Sequence, residues 1–215
     1  MEIFRLVFNP IEVNTYILAE TSGKCAVIDC GCYDSKEFNR LTQFLENKEL
    51  KPELLLNTHC HLDHIFGNRM FLEKYKIEAL ADKLEDENRL DSPDHARLFG
   101  LSIEMSPEPS GFLNDGDTVT FGYESLSVLA VPGHSRGSLA FYSSKEGVVF
   151  TGDALFSGSI GRTDLTGGSY ETLIHSIKSK LFVLPPSTIV YPGHGEETTI
   201  GKELKTNPYF SNTNS

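Results

Sequence analysis

Short runs of apolar residues, each bounded by turn-forming residues, recur along the chain and predict β-strands. In the first part of the chain these runs cover residues 3–8, 13–19, 25–29, 54–56 and 77–81. In the second part they cover residues 118–121, 126–131, 139–142, 148–151 and 188–191. Helical patterns lie between the strands, so the chain is expected to adopt a mixed α/β fold.

Apolar positions at helical spacing predict helices that pack against these strands. One begins at Asp34, whose spacing from Glu37 resembles a capping box. The others cover residues 68–75 and 170–184, and the latter is followed by two prolines that would stop it.

Residues 82–116 depart from this regular pattern. A strongly charged run covers residues 82–87, and prolines at positions 93, 107 and 109 are expected to interrupt any long helix. We predict an insert of broken helices and loops that either lines a substrate pocket or covers core. His95 within it, and His175 on the last helix, are expected to be surface residues.

Potential metal ligands are concentrated directly after the strand at residues 54–56. His59, His61, Asp63 and His64 lie within six consecutive positions. Imidazole and carboxylate groups are ligands of zinc, manganese and iron. Along an extended chain His59, His61 and Asp63 would face one way and Cys60 the other, with His64 at the start of a helix. Cys60 is therefore expected to point away from any metal.

Three later strands also end in potential ligands. His134, Asp153 and His194 each follow a predicted strand, and both histidines occur in the sequence Pro-Gly-His. Ligands at the same ends of adjacent strands converge on one edge of a sheet. The total of five histidines and two aspartates exceeds the four ligands of one structural zinc, which remains the alternative. It suits two metals that are about 3.5–4 Å apart and share a bridging carboxylate.

Asp29 also stands at the end of a predicted strand, at residues 25–29. It could orient a metal ligand, or it could be a turn residue that accepts a hydrogen bond from its own backbone. The sequence does not choose between these roles.

Composition narrows the possible partners and location. With 215 residues, 39% hydrophobic and 23% charged, the chain has the composition of an ordinary globular protein. Its net charge of −11 opposes binding to nucleic acid, and no apolar run is long enough to span a membrane. The N-terminus has no secretory pattern, and the four cysteines form no Cys-x-x-Cys pair. We expect reduced, buried thiols in a cytoplasmic protein.

The motif Thr-His-Cys-His-Leu-Asp-His at residues 58–64 resembles that of the metallo-β-lactamase superfamily, as do the later Pro-Gly-His and Thr-Gly-Asp motifs. The resemblance implies a four-layer αββα sandwich, with residues 1–215 as a single domain that includes the insert. It also implies one metal held by His59, His61 and His134, and a second held by Asp63, His64 and His194. Asp153 would bridge the two. Zinc is the expected metal, with iron or manganese as alternatives.

Within the superfamily, the chain looks most similar to short glyoxalase II-like hydrolases. Asp153 stands where the secreted zinc β-lactamases have a cysteine, which argues against an antibiotic hydrolase. Residues 151–156 and 161–164 resemble glyoxalase II-like hydrolases and also persulfide dioxygenases. Residues 193–199 and 203–208 look more like a short bacterial glyoxalase II-type protein. The 21 residues after His194 cannot form the C-terminal helical domain that contacts glutathione in full-length glyoxalase II. Thioester hydrolysis is thus implied, but glutathione as the thiol carrier is not.

The implied reaction is attack of a metal-bridging hydroxide on the carbonyl of a small-molecule thioester such as S-lactoylglutathione. Asp63 would both bind metal and orient the hydroxide. Candidate substrate contacts, each with a surface or structural role as the alternative, are Arg162, Tyr170, Lys202 and Lys205. Asn14-Thr15-Tyr16 resembles the N-terminal strand motif of the superfamily, with a role in hydrogen bonding beneath the site.

Two other functions are compatible with these residues. A mononuclear iron persulfide dioxygenase would use two histidines and a carboxylate, here His59, His134 and Asp153. The other is a metal-binding or sensing module, which would bind metal with the same ligands but without catalytic activity.

Overall fold

The computed structural model describes residues 1–210, and the chain divides into two compact units. The first unit comprises Met1–Leu113 and Thr120–Ser125, and the second comprises Asn114–Val119 and the chain from Leu126 onward. Each unit contains a β-sheet and helices.

The sheet of the first unit has six strands in chain order, β1 to β6. Strand β2 is antiparallel to its neighbours β1 and β3, whereas β3 to β6 run parallel. The strands are β1 (Glu2–Phe8), β2 (Val13–Ala19), β3 (Lys24–Ile28), β4 (Lys51–Leu56), β5 (Ala79–Ala81) and β6 (Gly111–Phe112). The helices of this unit are α1 (Ser35–Asn47), α2 (Leu62–Ile65), α3 (Asn68–Tyr75) and α4 (Asp86–Leu98), with a 3₁₀ turn at Lys83–Glu85.

Helix α1 begins at the residue that the sequence indicates. The side chain of Asp34 accepts a hydrogen bond from the amide of Glu37 at 2.9 Å, which is the first half of a capping box. The carboxylate of Glu37 does not complete the box, because it accepts the amides of Tyr33 and Asn9 instead. The cap therefore also fixes the turn after β1.

The predicted break at Pro93 is wrong, because Pro93 lies inside the continuous helix α4. A proline in a helix leaves the carbonyl four residues earlier without its usual amide donor. Here that carbonyl belongs to Arg89, and it accepts the hydroxyl of Ser92 at 2.7 Å. The segment from residue 99 to 110 is irregular, as expected.

The second sheet also has six strands, in the order β14-β13-β10-β9-β8-β7, and apart from residues 120–125 of β7 and β8 it belongs to the second unit. They are β7 (Thr118–Phe121), β8 (Glu124–Ala130), β9 (Leu139–Ser143), β10 (Val148–Gly152), β13 (Ile189–Pro192) and β14 (Thr198–Thr199). A separate hairpin consists of β11 (Leu155–Phe156) and β12 (Ser159–Ile160). The helices are α5 (Tyr170–Ser176), which continues into a π-helical turn at Ile177–Leu181, and α6 (Ile200–Thr206).

The strand directions determine which strands of the second sheet end at the same edge. β10 is parallel to β13 and antiparallel to β9, which is itself antiparallel to β8. The carboxyl ends of β8, β10 and β13 therefore lie at the same edge of this sheet. The expectation that β4 joins them in one sheet is wrong, because β4 belongs to the sheet of the first unit.

Helix α5 packs its apolar stripe as predicted, with Leu173, Ile177 and Leu181 fully buried. The continuous helix expected over residues 170–184 instead changes to π-helical geometry after Ser176. His175 is exposed, as expected. Among residues 1–210, no helix is both long and apolar enough to cross a membrane.

Candidate metal centre

The histidine-rich stretch follows β4 in the first unit. Its imidazoles are close together: the ring centroids of His59 and His61 are 4.7 Å apart, and those of His59 and His64 are 4.0 Å apart. The extended chain predicted through Asp63 ends earlier, because α2 already begins at Leu62. Asp63 is thus brought beside His64 by a helical turn, with 3.6 Å between its Oδ2 and His64 Nε2.

Asp29 is a positioning residue for this stretch. It follows β3, which is parallel to β4, so both chain ends leave the same edge of the sheet. Its buried carboxylate accepts the amide of Thr58 at 2.8 Å and the hydroxyl of Thr58 at 2.6 Å. The same carboxylate lies 2.9 Å from His64 Nδ1. The structure therefore favours the role of orienting a metal ligand over that of a local turn residue.

Two further side chains support the same loop from beneath. The hydroxyl of Thr15 donates to the Asp29 carbonyl at 2.6 Å and accepts the amide of Gly31 at 3.1 Å. Asn9 donates its side-chain amide to the carbonyls of Gly31 and Asp63. The hydrogen-bonding role expected for the β2 motif is confirmed at Thr15.

Cys60 lies in an apolar cluster with Ile65 and Ala81. Burial raises the pKa of its thiol well above the ordinary value, so the group is a neutral, apolar neighbour of the site. All four cysteines are buried and free, as expected.

In the second unit, Asp153 lies between two histidines. Its Oδ2 is 3.6 Å from His134 Nε2 and 3.6 Å from His194 Nε2. These separations are too long for strong hydrogen bonds. Two ligand atoms that each lie about 2.1 Å from one tetrahedral ion are separated by about 3.4 Å. The geometry therefore suits an aspartate oxygen that shares an ion with each histidine.

The ring of His134 is held in one orientation by backbone. Its Nδ1 lies 2.8 Å from the carbonyl oxygen of Arg162, which can only accept, so Nδ1 carries the proton. The turn before it rests on α5: Ser169 donates its amide to Gly133, and Ser176 donates its hydroxyl to Pro132. Helix α5 thus positions a candidate ligand although it contributes none.

The donor set fits a metal. His64 and His134 each direct Nδ1 to an acceptor within the protein, which leaves Nε2 as the ligand atom. Thr58 donates its hydroxyl to Asp29, so it must accept from His59 Nδ1, 3.1 Å away, and His59 also presents Nε2. This arrangement of imidazoles and carboxylates is that of zinc or iron sites in proteins.

The candidate substrate contacts are less directly placed. Arg162 forms two hydrogen bonds of 2.8 Å with Asp164, so its guanidinium is already paired. Lys202 donates to Ser157 at 3.0 Å, whereas Lys205 is exposed. Tyr170 is 46% exposed at the start of α5. For Arg162, the structure therefore favours a role in stabilising the loop over a role in binding substrate. Its backbone carbonyl separately orients the His134 ring.

Glu203 lies in a segment that carries the family resemblance, but the sequence assigns it no role; it is a fully buried carboxylate on α6. It accepts the amide of Gly158 at 2.8 Å, the hydroxyl of Thr198 at 2.5 Å and the side-chain amide of Asn207 at 2.9 Å. Gly158 is the turn of the β11–β12 hairpin, whose Phe156 ring lies 6.4 Å from the His194 ring. A glutamate early in a helix gives no sequence signal of such burial.

The model of the metallo-β-lactamase superfamily matches residues 9–194. A protein named probable metallo-hydrolase YqgX from Bacillus subtilis is 36% identical, over 96% of this chain and 96% of its own. Hydroxyacylglutathione hydrolase GloC from Haemophilus influenzae is 34% identical, over 98% of this chain and 99% of its own.

Solved structures of similar proteins share the fold. The B3 metallo-β-lactamase BLEG-1 has a TM-score of 0.88 at 34% identity, covering 98% of this chain and 100% of that one. TTHA1623 in a di-iron-bound form has a TM-score of 0.86 at 36% identity, covering 96% and 99%. ETHE1 from Myxococcus xanthus has a TM-score of 0.78 at 27% identity, covering 97% and 84%.

The expected fold is thereby confirmed, as is the assignment to a family that includes metallo-hydrolases. The matched region contains every histidine and aspartate of the two clusters described above. The chain belongs to the metallo-β-lactamase superfamily.

Proposed function

We propose that the protein is a metal-dependent hydrolase of small-molecule thioesters. The observation that carries the proposal is the placement of Asp153 Oδ2 at the same 3.6 Å from His134 and His194. One carboxylate can then serve two ions. As the family resemblance implies, the first ion would be held by His59, His61 and His134, and the second by Asp63, His64 and His194.

Two divalent ions at this site would lower the pKa of a water molecule toward neutrality and polarise the substrate carbonyl. Asp63 would accept a hydrogen bond from the attacking water and align it, which makes it the catalytic residue of the chain. Asp29 and the Arg162 carbonyl keep the ligand nitrogens of His64 and His134 correctly aimed. The products are a carboxylic acid and a thiol, and since a thiolate leaves readily, no strong general acid is required.

The thioester class is supported by GloC, which is named as a hydroxyacylglutathione hydrolase and aligns over nearly its full length. Zinc is the proposed metal. Iron is a second possibility because TTHA1623, at 36% identity, was solved in a di-iron-bound form. We propose that nucleic acid and membranes are not partners, in keeping with the net charge of −11.

The experiment that tests this function combines metal analysis with a substrate panel on one preparation. The panel contains S-lactoylglutathione, acyl thioesters of other thiols and a β-lactam, since BLEG-1 is named as a β-lactamase. We expect about two metal ions per chain and thioester hydrolysis that Asp63→Ala abolishes. Asp164→Ala is the matched control, because it removes an exposed aspartate whose carboxylate is paired with the Arg162 side chain in the loop. Metal-loaded protein that cleaves no thioester would refute the proposal and favour a binding module.

A second candidate is a mononuclear iron persulfide dioxygenase that uses His59, His134 and Asp153. The likeness to ETHE1, over 97% of this chain, is compatible with it. It predicts one iron per chain and oxygen consumption with glutathione persulfide. Two metals per chain and no oxygen consumption would exclude it.

A further inference from the structure

Glu85 is the one fully buried acid of the charged run at residues 82–87. Its neighbours Lys83, Leu84 and Glu87 are exposed, whereas Glu85 itself is only 1% exposed. Burial of a carboxylate costs free energy unless hydrogen bonds compensate it. The hydrogen-bond partners of this carboxylate therefore indicate its role.

The carboxylate of Glu85 reaches the metal-binding stretch. Its Oε2 accepts the backbone amide of Cys60 at 2.7 Å and the side-chain amide of Asn88 at 2.9 Å. A hydrogen bond from a backbone amide to a carboxylate is stronger than one between neutral groups. Asn88 lies one turn further along the chain and fixes the position of the carboxylate from the other side.

The backbone amide of Cys60 lies between two of the candidate metal ligands. It forms the peptide link between His59 and Cys60, and His61 follows directly, so its orientation affects the backbone of two ligands. The side chain of Cys60 is fixed at the same time by the apolar cluster with Ile65 and Ala81. Cys60 is thus held at both its amide and its side chain.

A second set of hydrogen bonds links the same insert to the other end of the stretch. Arg89 donates to the carbonyl of Ser106 at 3.0 Å, and Asn68 donates to the hydroxyl of Ser106 at 3.1 Å. Asn68 also donates to Asn57 at 2.9 Å, whose amide lies 3.4 Å from the carbonyl of His64. The insert therefore contacts the ligand stretch directly at Cys60 and is linked to its His64 end through Asn68 and Asn57.

We infer that Glu85 is a positioning residue that sets the metal affinity of the site by holding the Cys60 amide between His59 and His61. The inference rests on the proposed metal centre. It gives the insert a definite task beyond covering core: the insert preorganises the ligand backbone before metal arrives.

The test is the dissociation constant for Zn²⁺, measured on purified full-length protein by competition with a chromophoric chelator. Loss of an outer contact of this kind typically weakens metal binding by about 10- to 100-fold, and we expect that loss for Glu85→Ala. Glu85→Gln keeps a carbonyl acceptor at the same place and should restore most of the affinity. A purely structural role would lower the melting temperature of the metal-free protein and leave the dissociation constant of the folded protein unchanged.

Glu87→Ala is the matched control, since it removes an exposed acid of the same charged run and should not alter zinc affinity. If Glu85→Ala does not fold, Asn88→Ala becomes the test variant, with a smaller loss expected because it removes only the support of the carboxylate. Zinc binding equal to that of the unmodified protein in the folded variant would overturn the role of Glu85 alone. An unmodified protein that binds no zinc would overturn the metal centre itself, so the two failures are distinguishable.

Discussion

Gly133, in the turn before His134, cannot accept a side chain. A Cβ built at this position would lie 2.3 Å from the amide nitrogen of Leu173 and 2.4 Å from its Cα. These are backbone atoms of α5, so no rotamer change can relieve the clash. The φ angle of Gly133 is also +130°, which side-chain-bearing residues rarely adopt.

The expected effect of Gly133→Ala follows from the steric clash with Leu173 and from the unfavourable φ angle. Overpacking costs about 1–3 kcal/mol. A backbone angle of this kind costs about 1–3 kcal/mol more. We therefore expect a loss of about 2–6 kcal/mol in the free energy of unfolding, together with weaker zinc binding because His134 moves with the turn.

Gly147 provides the matched control for the backbone term. Its φ is +66°, and a Cβ there would meet nothing within 4 Å. Gly147→Ala should cost only about 1–2 kcal/mol and leave zinc affinity unchanged.

Urea unfolding followed by circular dichroism measures the free energy of unfolding of both variants. If this free energy falls with urea concentration at the same slope in both, the same unfolding transition is being compared. Equal losses for the two variants would refute the reasoning, because the clash with Leu173 would then carry no cost. Unchanged zinc affinity in Gly133→Ala would show that the turn and α5 do not position His134.

Three further outcomes can be measured. Cys60→Ser should retain its metal content while losing about 1–3 kcal/mol of stability, since a hydroxyl replaces a thiol in apolar surroundings; loss of metal would show that Cys60 belongs to the ligand set. Asp29→Asn should fold, because asparagine tolerates the φ of +54° found there, and should bind zinc about 10- to 100-fold more weakly; unchanged affinity would mean that His64 is oriented by another group. Hydrogen bonding to Arg162 lowers the pKa of Asp164 to about 2, so the contribution of this pair to stability is present above the unfolded pKa of about 3.9 and is lost as the pH falls toward 2. The stability difference between the unmodified protein and Asp164→Asn should accordingly narrow over that range in acid titration, and a difference that grows there would contradict the assignment.

The sequence predicts most strongly where a local pattern and the tertiary structure agree. Strand β2 lies at the predicted residues, and Asp34 caps α1, because an apolar run, its bounding turn residues and a capping side chain all act over a few positions. The hairpin β11–β12 and strand β14 have two-residue strands, which are too short to leave a pattern. The predicted break at Pro93 is wrong for a different reason, since a serine hydroxyl replaces the missing donor only once the helix has formed.

In the candidate site, too, some residues are predictable from local sequence and others only from tertiary contacts. The seven metal-ligand candidates could be chosen from residue type and position after strands, and the family match includes all of them. The roles of Asp29 and Glu85 could not be chosen in this way. Asp29 meets His64 across 35 positions and Glu85 meets Cys60 across 25, so only the packed sheet and insert reveal the contacts. A charged run is ordinarily read as a solvated face, and Glu85 is the member of the run that does not follow this rule.

The hydrogen bonds of Glu203 have a practical consequence for how the chain can be shortened. A truncation that removes α6 takes away this carboxylate and leaves the hydroxyl of Thr198 buried without its acceptor. It also releases the amide of Gly158, and with it the hairpin beside His194. A fragment that ends before Glu203 is therefore a poor choice for crystallisation or assay.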